Sequence, residues 1–221
     1  MWITESAKKG RRLKDVYNLS GVDVYIKDRL PEEIDPDFVF NYISARIPFH
    51  LTTGVDIIYI GQFPKMLERD IDAYYEDGAI YVTNVQEDEM DIIDDIIHEL
   101  AHAAERNNDE LIYGSGSLQN EFIAKRKNLA TRLRDIYDIP ADFTINMEYD
   151  KYIDMFLYET VGYDILNQLV VNIFVSGYAA TSVREYFARG FEEYLLGDKE
   201  SLKRISPVLY TTINKLVHLE D

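Results

Sequence analysis

Two of the four histidines in the chain lie four residues apart, with a glutamate directly after the first. They are His98 and His102 in the stretch "DDIIHELAHAAE", and the glutamate is Glu99. Residues four apart share one face of an α-helix, so both imidazoles could bind one metal ion. Zinc held in this way lowers the pKa of a bound water to about 7, and an adjacent carboxylate can accept the proton of that water. The spacing therefore predicts a zinc site with Glu99 as the general base.

A third ligand is needed, because catalytic zinc usually has three protein ligands and one open position. The chain has no cysteine, so histidine or a carboxylate must supply this ligand. A histidine six residues after the motif is excluded, because Asn108 stands there. His50 and His218 are better interpreted as ordinary surface or core residues. The third ligand is then expected on a later helix, and the candidates are Glu159, Glu185, Glu192 and Glu193.

The elements that must position these residues are predicted from local patterns. Apolar residues recur every three or four positions from about Glu87 to about Asn107, which indicates a helix with one buried face. Strands are predicted at 22–27 and 55–63, and a hairpin at 73–84 around Asp77-Gly78. Asp35-Pro36 is typical of a helix start, with a capping acid and proline in the first turn.

The second half of the sequence is predicted to be mostly helical. Residues 107–148 are interpreted as an insertion that contains a helix at 118–137. A long, mostly apolar helix is expected at 149–175. Ser182 is a good cap for the next helix, Gly197 can close it, and Pro207 is placed to begin the last.

One helix of the predicted insertion carries the densest group of basic residues in the chain. They are Lys125, Arg126, Lys127, Arg132 and Arg134, on the helix predicted at 118–137. Charged outer faces are routine on helices, so a solvated face is one interpretation. The other is a docking surface for an acidic protein partner in an assembly.

The helix predicted from about Glu87 to about Asn107, called here the active helix, and the C-terminal region carry motifs that resemble those of the catalytic domain of anthrax lethal factor and the related Pro-Pro endopeptidases. The shared features are HExxH followed three residues later by an acid, here Glu105, and then a tyrosine, six intervening residues and a glutamate. This sequence has Tyr178 and then Glu185 at the start of "EYFA". The ending "YLLGDKESLKRISPVLYTTINKLV" is also similar. The resemblance implies that Glu185 is the third zinc ligand and that the Tyr178 hydroxyl stabilises the oxyanion.

The resemblance covers roughly 72–106 and 174–219 and has two departures. His102 and Glu185 are 83 residues apart, a long gap that we assign to the insertion at 107–148. Arg189 stands where the family usually has a second glutamate that supports a zinc-bound histidine. Asp91 or Asp95, about two turns before the histidines, could take that supporting role.

The expected fold class is α+β and zincin-like, with a small mixed sheet over the active helix and a mostly helical C-terminal half. We predict a single metallopeptidase domain over 1–221. In zincins an extended substrate adds to the edge strand before the active helix, and Ile80–Asn84 is expected to be that strand. An ordinary edge strand fits the same residues.

The composition restricts the partners. With 40 acidic and 23 basic residues the net charge is −17, which argues against nucleic acid or an anionic membrane face and favours a basic peptide segment. No window has 18 consecutive apolar residues, and residues 1–20 contain a basic cluster without an apolar run. The predicted location is cytoplasmic; a virion, or export without a classical signal, is the alternative.

The sequence thus predicts a zinc-dependent endopeptidase that binds one zinc ion through His98, His102 and Glu185. The alternative is a structural or binding component of a larger assembly, such as a phage particle, built on the same fold with or without residual activity. An interaction protein with an inactive site is less favoured, because all five reacting residues are present.

Overall fold

The computed structural model describes residues 16–219, which form a mixed α/β fold that is mostly helical. The chain divides into two compact units, one ending at Asn107 and the other beginning at Asn108. The single domain predicted over 1–221 stays a prediction. Most of the N-terminal segment that was predicted not to be a secretory signal lies outside the described residues. In the described part, every helix is too short or too polar to cross a membrane.

The first unit contains a five-stranded mixed sheet in the order β1-β2-β3-β5-β4. Its central strands β2, β3 and β5 run parallel, and β1 and β4 pair antiparallel at the two edges. The predicted hairpin is confirmed, with positive φ at Asp77 and Gly78, as its tight turn requires. The strands are β1 Val16–Leu19, β2 Val22–Ile26, β3 Ile57–Ile60, β4 Ala73–Glu76 and β5 Ala79–Val82.

The expectation that Ile80–Asn84 forms the sheet edge is wrong. Strand β5 ends at Val82 and lies between β3 and β4, so it is an interior strand. The edge belongs to β4, the first arm of the hairpin, which pairs with β5. Both arms have similar residues, and only the pairing of β5 with the distant strand β3 decides which arm lies inside.

The two faces of this sheet differ in chemistry. One face is apolar and includes the fully buried Ile58, Ile60 and Ile80. The other carries one tyrosine on each of four neighbouring strands, in matched register: Tyr25, Tyr59, Tyr81 and Tyr74. The rings of Tyr74 and Tyr81 stack with centroids 4.6 Å apart, and those of Tyr59 and Tyr81 are 5.4 Å apart. Such cross-strand aromatic pairs stabilise the sheet.

Three α-helices lie in the described part of the first unit. The predicted helix start at Asp35 is confirmed, because its carboxylate accepts a hydrogen bond from the backbone N–H of Asp37 and caps α1. The predicted amphipathic helix is also confirmed as α3, which buries Ile93, Ile97 and Leu100. It packs against α1, β4 and β5. The helices are α1 Pro36–Ser44, α2 Pro64–Arg69 and α3 Glu89–Asn107.

The second unit is helical, and its core includes the helix from the predicted insertion. That helix, α5, buries Phe122, Leu129 and Leu133 and packs against α8 and α10. The predicted cap at Ser182 and the start at Pro207 are confirmed. The helices are α4 Asp109–Tyr113, α5 Ser117–Leu133, α6 Lys151–Met155, α7 Tyr163–Leu169, α8 Val183–Leu196, α9 Lys199–Ile205 and α10 Pro207–Val217, with a π-helical segment Phe156–Val161 between α6 and α7.

The single long helix predicted at 149–175 is wrong. The region is divided into α6, the π-helical segment and α7, and the last of these ends at Leu169. Gly162 has φ 78° and ψ 139°, which no helix accommodates, and it separates the π-helical segment from α7. The apolar content of this region reflects burial, and a buried stretch does not by itself identify one continuous helix.

Only three of the five residues of the basic face predicted on α5 are exposed. Lys125 is 8% exposed and Arg126 is 0% exposed. Their side chains donate hydrogen bonds to backbone carbonyls, which satisfy the buried cations. Lys127, Arg132 and Arg134 remain exposed, and docking of an acidic partner stays a prediction for these three.

Glu121 on α5 fastens the start of the last helix. Its carboxylate accepts hydrogen bonds of 3.0 Å from the backbone N–H groups of Val208 and Leu209, and one of 2.8 Å from the Tyr186 hydroxyl. Glu121→Ala is expected to lower the free energy of unfolding by about 2–4 kcal/mol, because it leaves three donors without this acceptor. Urea denaturation measures this change. Tyr186→Phe, which removes one of the three bonds, should cost about 1 kcal/mol; equal losses in both variants would contradict the capping role.

Candidate metal centre

The two histidines of the motif lie one turn apart on α3 and point their ring nitrogens at each other. The Nε2 atoms of His98 and His102 are 3.2 Å apart, and the ring centroids are 4.8 Å apart at an interplanar angle of 83°. Two nitrogens that each lie 2.0–2.1 Å from a tetrahedral zinc ion are about 3.3–3.4 Å apart. The pair therefore has the spacing of two ligands to one ion.

A carboxylate on the same helix orients His102. Oε2 of Glu105 lies 3.3 Å from Nδ1 of His102, and the Glu105 side chain is 5% exposed. A carboxylate in this position accepts the Nδ1–H hydrogen bond and leaves the lone pair of Nε2 for a metal ion. Glu105 is thus placed to fix the orientation of the His102 ring.

The expectation that Asp91 or Asp95 supports a zinc-bound histidine stays a prediction. Asp91 accepts backbone hydrogen bonds from Glu87 and Asp88 and so caps the start of α3. Asp95 accepts a hydrogen bond of 2.8 Å from the Gln86 side chain. The pKa of Asp95 is raised to about 7, chiefly by burial; the charges of Asp72 and Glu99 add to the rise, while that hydrogen bond and the interaction with His98 oppose it. The carboxylate that the structure places beside His102 Nδ1 is Glu105.

Glu99, the predicted base, follows His98 and is 7% exposed. Its negative charge contributes to the raised pKa of Asp95, which lies one turn earlier on the helix. The role of Glu99 as base stays a prediction.

Glu185 lies in the first turn of α8. Ser182 caps this helix, and its hydroxyl accepts a hydrogen bond of 3.2 Å from the backbone N–H of Glu185. His98, His102 and Glu185 form a group that could hold a metal ion. Two imidazoles and one carboxylate form a donor set that suits catalytic zinc. Their role as ligands stays a prediction.

The other three candidate glutamates have different surroundings. Glu159 is exposed on the π-helical segment. Glu192 forms an ion pair of 2.7 Å with Arg189, the residue that departs from the family pattern. Glu193 accepts a hydrogen bond of 2.9 Å from the backbone N–H of Asp198. Arg189 is therefore neutralised by Glu192 one turn further along α8.

Tyr178, the predicted oxyanion stabiliser, begins a short 3-10 turn that ends at Ala180. Its side chain is 40% exposed, and its ring lies 6.3 Å from that of Tyr163. Its role in catalysis stays a prediction.

Tyr163 is a residue that sequence reasoning missed. Its ring lies between those of Tyr158, at 5.8 Å, and Tyr178, at 6.3 Å. Burial raises the pKa of Tyr163 well above its ordinary value, and the charges of Asp154 and Glu185 add to the effect. The tyrosine therefore lies near the Glu185 carboxylate. It belongs to no motif, and with 17 tyrosines in the chain the sequence offers no signal that singles it out.

Comparison with known proteins adds nothing to this geometry: no family model, curated protein or solved structure matches the chain.

Proposed function

We propose that this protein is a zinc-dependent endopeptidase of the zincin type, with a site similar to that of the lethal factor family. The observation that carries the proposal is the metal-like spacing of the ligands. The histidine nitrogens are 3.2 Å apart, and the two histidines together with Glu185 form a group that could hold a metal ion. The buried Glu105 beside His102 supports the same function, because zinc-bound histidines usually donate their second N–H to such a partner.

The residues of the chain divide the reaction among them. A zinc ion at this position would polarise the peptide carbonyl and lower the pKa of a bound water. Glu99 accepts the proton of the attacking water and delivers it to the leaving amine. The Tyr178 hydroxyl donates a hydrogen bond to the carbonyl oxygen as negative charge develops on it. Glu105 holds the His102 ring in the tautomer that presents Nε2.

The proposed substrate is an extended peptide that adds to the sheet. Among the described strands, β4 pairs with β5 alone, so its second edge carries backbone donors and acceptors that a peptide can use. This moves the proposed binding strand from Ile80–Asn84 to Ala73–Glu76.

The acidic residues of the second unit favour a substrate with a basic segment. Residues 142–164 contain six acidic residues and one lysine. Tyr158 is 63% exposed in the same stretch and adjoins the ring of Tyr163. Tyrosine faces with carboxylates nearby bind guanidinium and ammonium groups. We therefore propose a substrate with an arginine or lysine close to the cleaved bond, and no role for nucleic acid or membrane.

Metal removal tests the proposed function. Protein purified without added chelator is expected to contain about one zinc per chain by elemental analysis. It should cleave members of a peptide library, lose that activity after dialysis against a chelator, and recover it when one equivalent of zinc is added. Protein without zinc, and unable to bind added zinc, would contradict the site.

The same experiment separates the alternative function. A structural or binding component of a larger assembly would bind zinc and stay intact, yet leave every peptide of the library uncut. Cleavage that depends on zinc would favour the enzyme, whether or not the protein is also part of an assembly.

A further inference from the structure

The largest fully buried side chain among the described residues belongs to a cation, Arg126 on α5, which is 0% exposed. Its guanidinium donates only to backbone carbonyls in the hydrogen bonds that the structure shows. Nε donates to Ala180 O at 2.8 Å, Nη1 donates to Asn146 O at 2.8 Å and to Phe143 O at 3.1 Å, and Nη2 donates to Thr181 O. The rings of Phe122 and Phe143 lie 4.8 and 4.9 Å from the guanidinium carbon.

A buried guanidinium at this position carries a large cost in desolvation free energy. Burying a charge costs several kcal/mol unless its donors are all matched, and an apolar side chain is often as stable at such a place. Burial lowers the pKa of Arg126 to about 10, so the side chain stays charged at neutral pH. Apart from Lys125, the other buried positions on α5 are apolar, among them Phe122 and Leu129. A guanidinium is useful here because it can hold several carbonyls at fixed positions at once.

Two of these carbonyls lie in the short connection between Tyr178 and Glu185. Ala180 ends the 3-10 turn that Tyr178 begins, and Thr181 directly precedes the helix cap Ser182. Thr181 also donates to Tyr178 O, through its N–H at 3.0 Å and its hydroxyl at 2.8 Å. Arg126 therefore bonds the chain at the point where the turn carrying Tyr178 ends and the helix carrying Glu185 begins.

The other two carbonyls that accept hydrogen bonds from Arg126 belong to a second segment of the chain. Phe143 and Asn146 belong to the loop before α6, and the next residue, Met147, accepts a hydrogen bond of 2.8 Å from the backbone N–H of Val183 at the start of α8. The same guanidinium thus supports the start of α8 directly through Thr181 and indirectly through this loop.

We infer that Arg126 is a positioning residue of the proposed peptidase site, which fixes the spacing of Tyr178 and Glu185 through the carbonyls of Ala180 and Thr181. The inference rests on the proposed function for what that spacing does. The alternative is a purely structural role, in which Arg126 stabilises the unit as a whole without a particular effect on residues 178–185.

Lys125 is a matched control. It is the preceding residue, it is 8% exposed, and it too donates to two backbone carbonyls. Those carbonyls belong to Ile173 and Ile205, which both lie outside the 178–185 segment. Burial lowers the pKa of Lys125 to about 8. Lys125→Met therefore removes a buried carbonyl-binding cation from the same helix without touching the connection between Tyr178 and Glu185.

The test compares Arg126→Met, Arg126→Lys and Lys125→Met in the full chain by hydrogen–deuterium exchange and by zinc titration against a chromogenic chelator. Arg126→Met is expected to raise amide exchange selectively at 178–185 and to weaken zinc binding about 10–100-fold, as loss of an indirect metal-site support does. kcat on a cleaved peptide should fall more than KM rises. Arg126→Lys, which can reach fewer carbonyls, should give an intermediate effect. Lys125→Met should leave exchange at 178–185 and zinc affinity within twofold of wild type.

Two results would overturn the inference. One is exchange at 178–185 that rises no more than elsewhere in the folded Arg126 variants; the other is an equal local effect from Lys125→Met. If Arg126→Met does not fold, Arg126→Lys carries the same comparison. Wild-type protein that binds no zinc would contradict the proposed function, while the exchange data would still decide whether Arg126 holds this segment.

Discussion

Glu99→Gln is expected to lower the rate of peptide cleavage at least about 100-fold while zinc binding stays at the wild-type level. Glutamine has the shape of glutamate but cannot accept a proton from the attacking water. Glu99 is 7% exposed, so bulk water and buffer are poorly placed to replace it. The measurement is kcat/KM on a peptide that wild type cleaves, with the zinc content of the same samples determined by elemental analysis.

A second variant on the same helix controls for the change of charge. Glu89→Gln makes the identical substitution in the first turn of α3, where the carboxylate accepts a weak 3.4 Å hydrogen bond from the backbone of Asp35. It should keep both zinc and activity. Cleavage by Glu99→Gln at the wild-type rate would show that another group is the base, and equal losses in both variants would trace the effect to charge alone.

The second large effect is expected from Glu185→Ala, which removes a proposed zinc ligand. Loss of a residue that only hydrogen-bonds a metal ligand typically weakens metal binding 10–100-fold, and this variant should weaken it more. The variant keeps its backbone N–H, so the Ser182 cap and the start of α8 should persist. A ligand that binds only the folded state stabilises it, so zinc at one hundred times its dissociation constant is expected to stabilise wild type by about 2.7 kcal/mol. The same zinc concentration should give Glu185→Ala much less. Denaturation with and without zinc measures both.

Glu159→Ala is the matched control, since Glu159 was an equal candidate in the sequence and is exposed on the π-helical segment. It should show the wild-type stabilisation by zinc. If Glu159→Ala lost that stabilisation and Glu185→Ala kept it, the assignment of the carboxylate ligand would be reversed. If neither lost it, the third ligand would lie elsewhere.

Features that depend on neighbours in the sequence were predicted correctly. The buried stripe of α3 has a helical period, Asp35 and Ser182 cap helices through their own side chains, and Asp77-Gly78 supplies the positive φ that the hairpin turn needs. The spacing of His98 and His102 is of the same kind. Each is a contact within a few residues, and its energy is largely set before the rest of the chain folds.

Features that depend on distant partners were not predictable in the same way. Strand β5 is interior because it pairs with β3, more than twenty residues earlier. Arg126 looked like part of an exposed basic face, and its burial follows from carbonyls up to 55 residues away. The break at Gly162 was hidden by apolar residues that suit a buried helix as well as a buried turn.

The candidate site also combines features that the local sequence determines with features that only the folded chain determines. The motif and the family resemblance were enough to propose His98, His102, Glu99, Tyr178 and Glu185. Zinc-dependent hydrolysis restricts which residue types can act as ligands, base and oxyanion donor. Folding decided that Glu105 lies against His102, and that Arg126 donates hydrogen bonds to the connection between Tyr178 and Glu185. Reacting groups can be read from their identity and local spacing. The groups that hold them in place act through packing and backbone carbonyls, which any residue provides, and so they are visible only once the chain is folded.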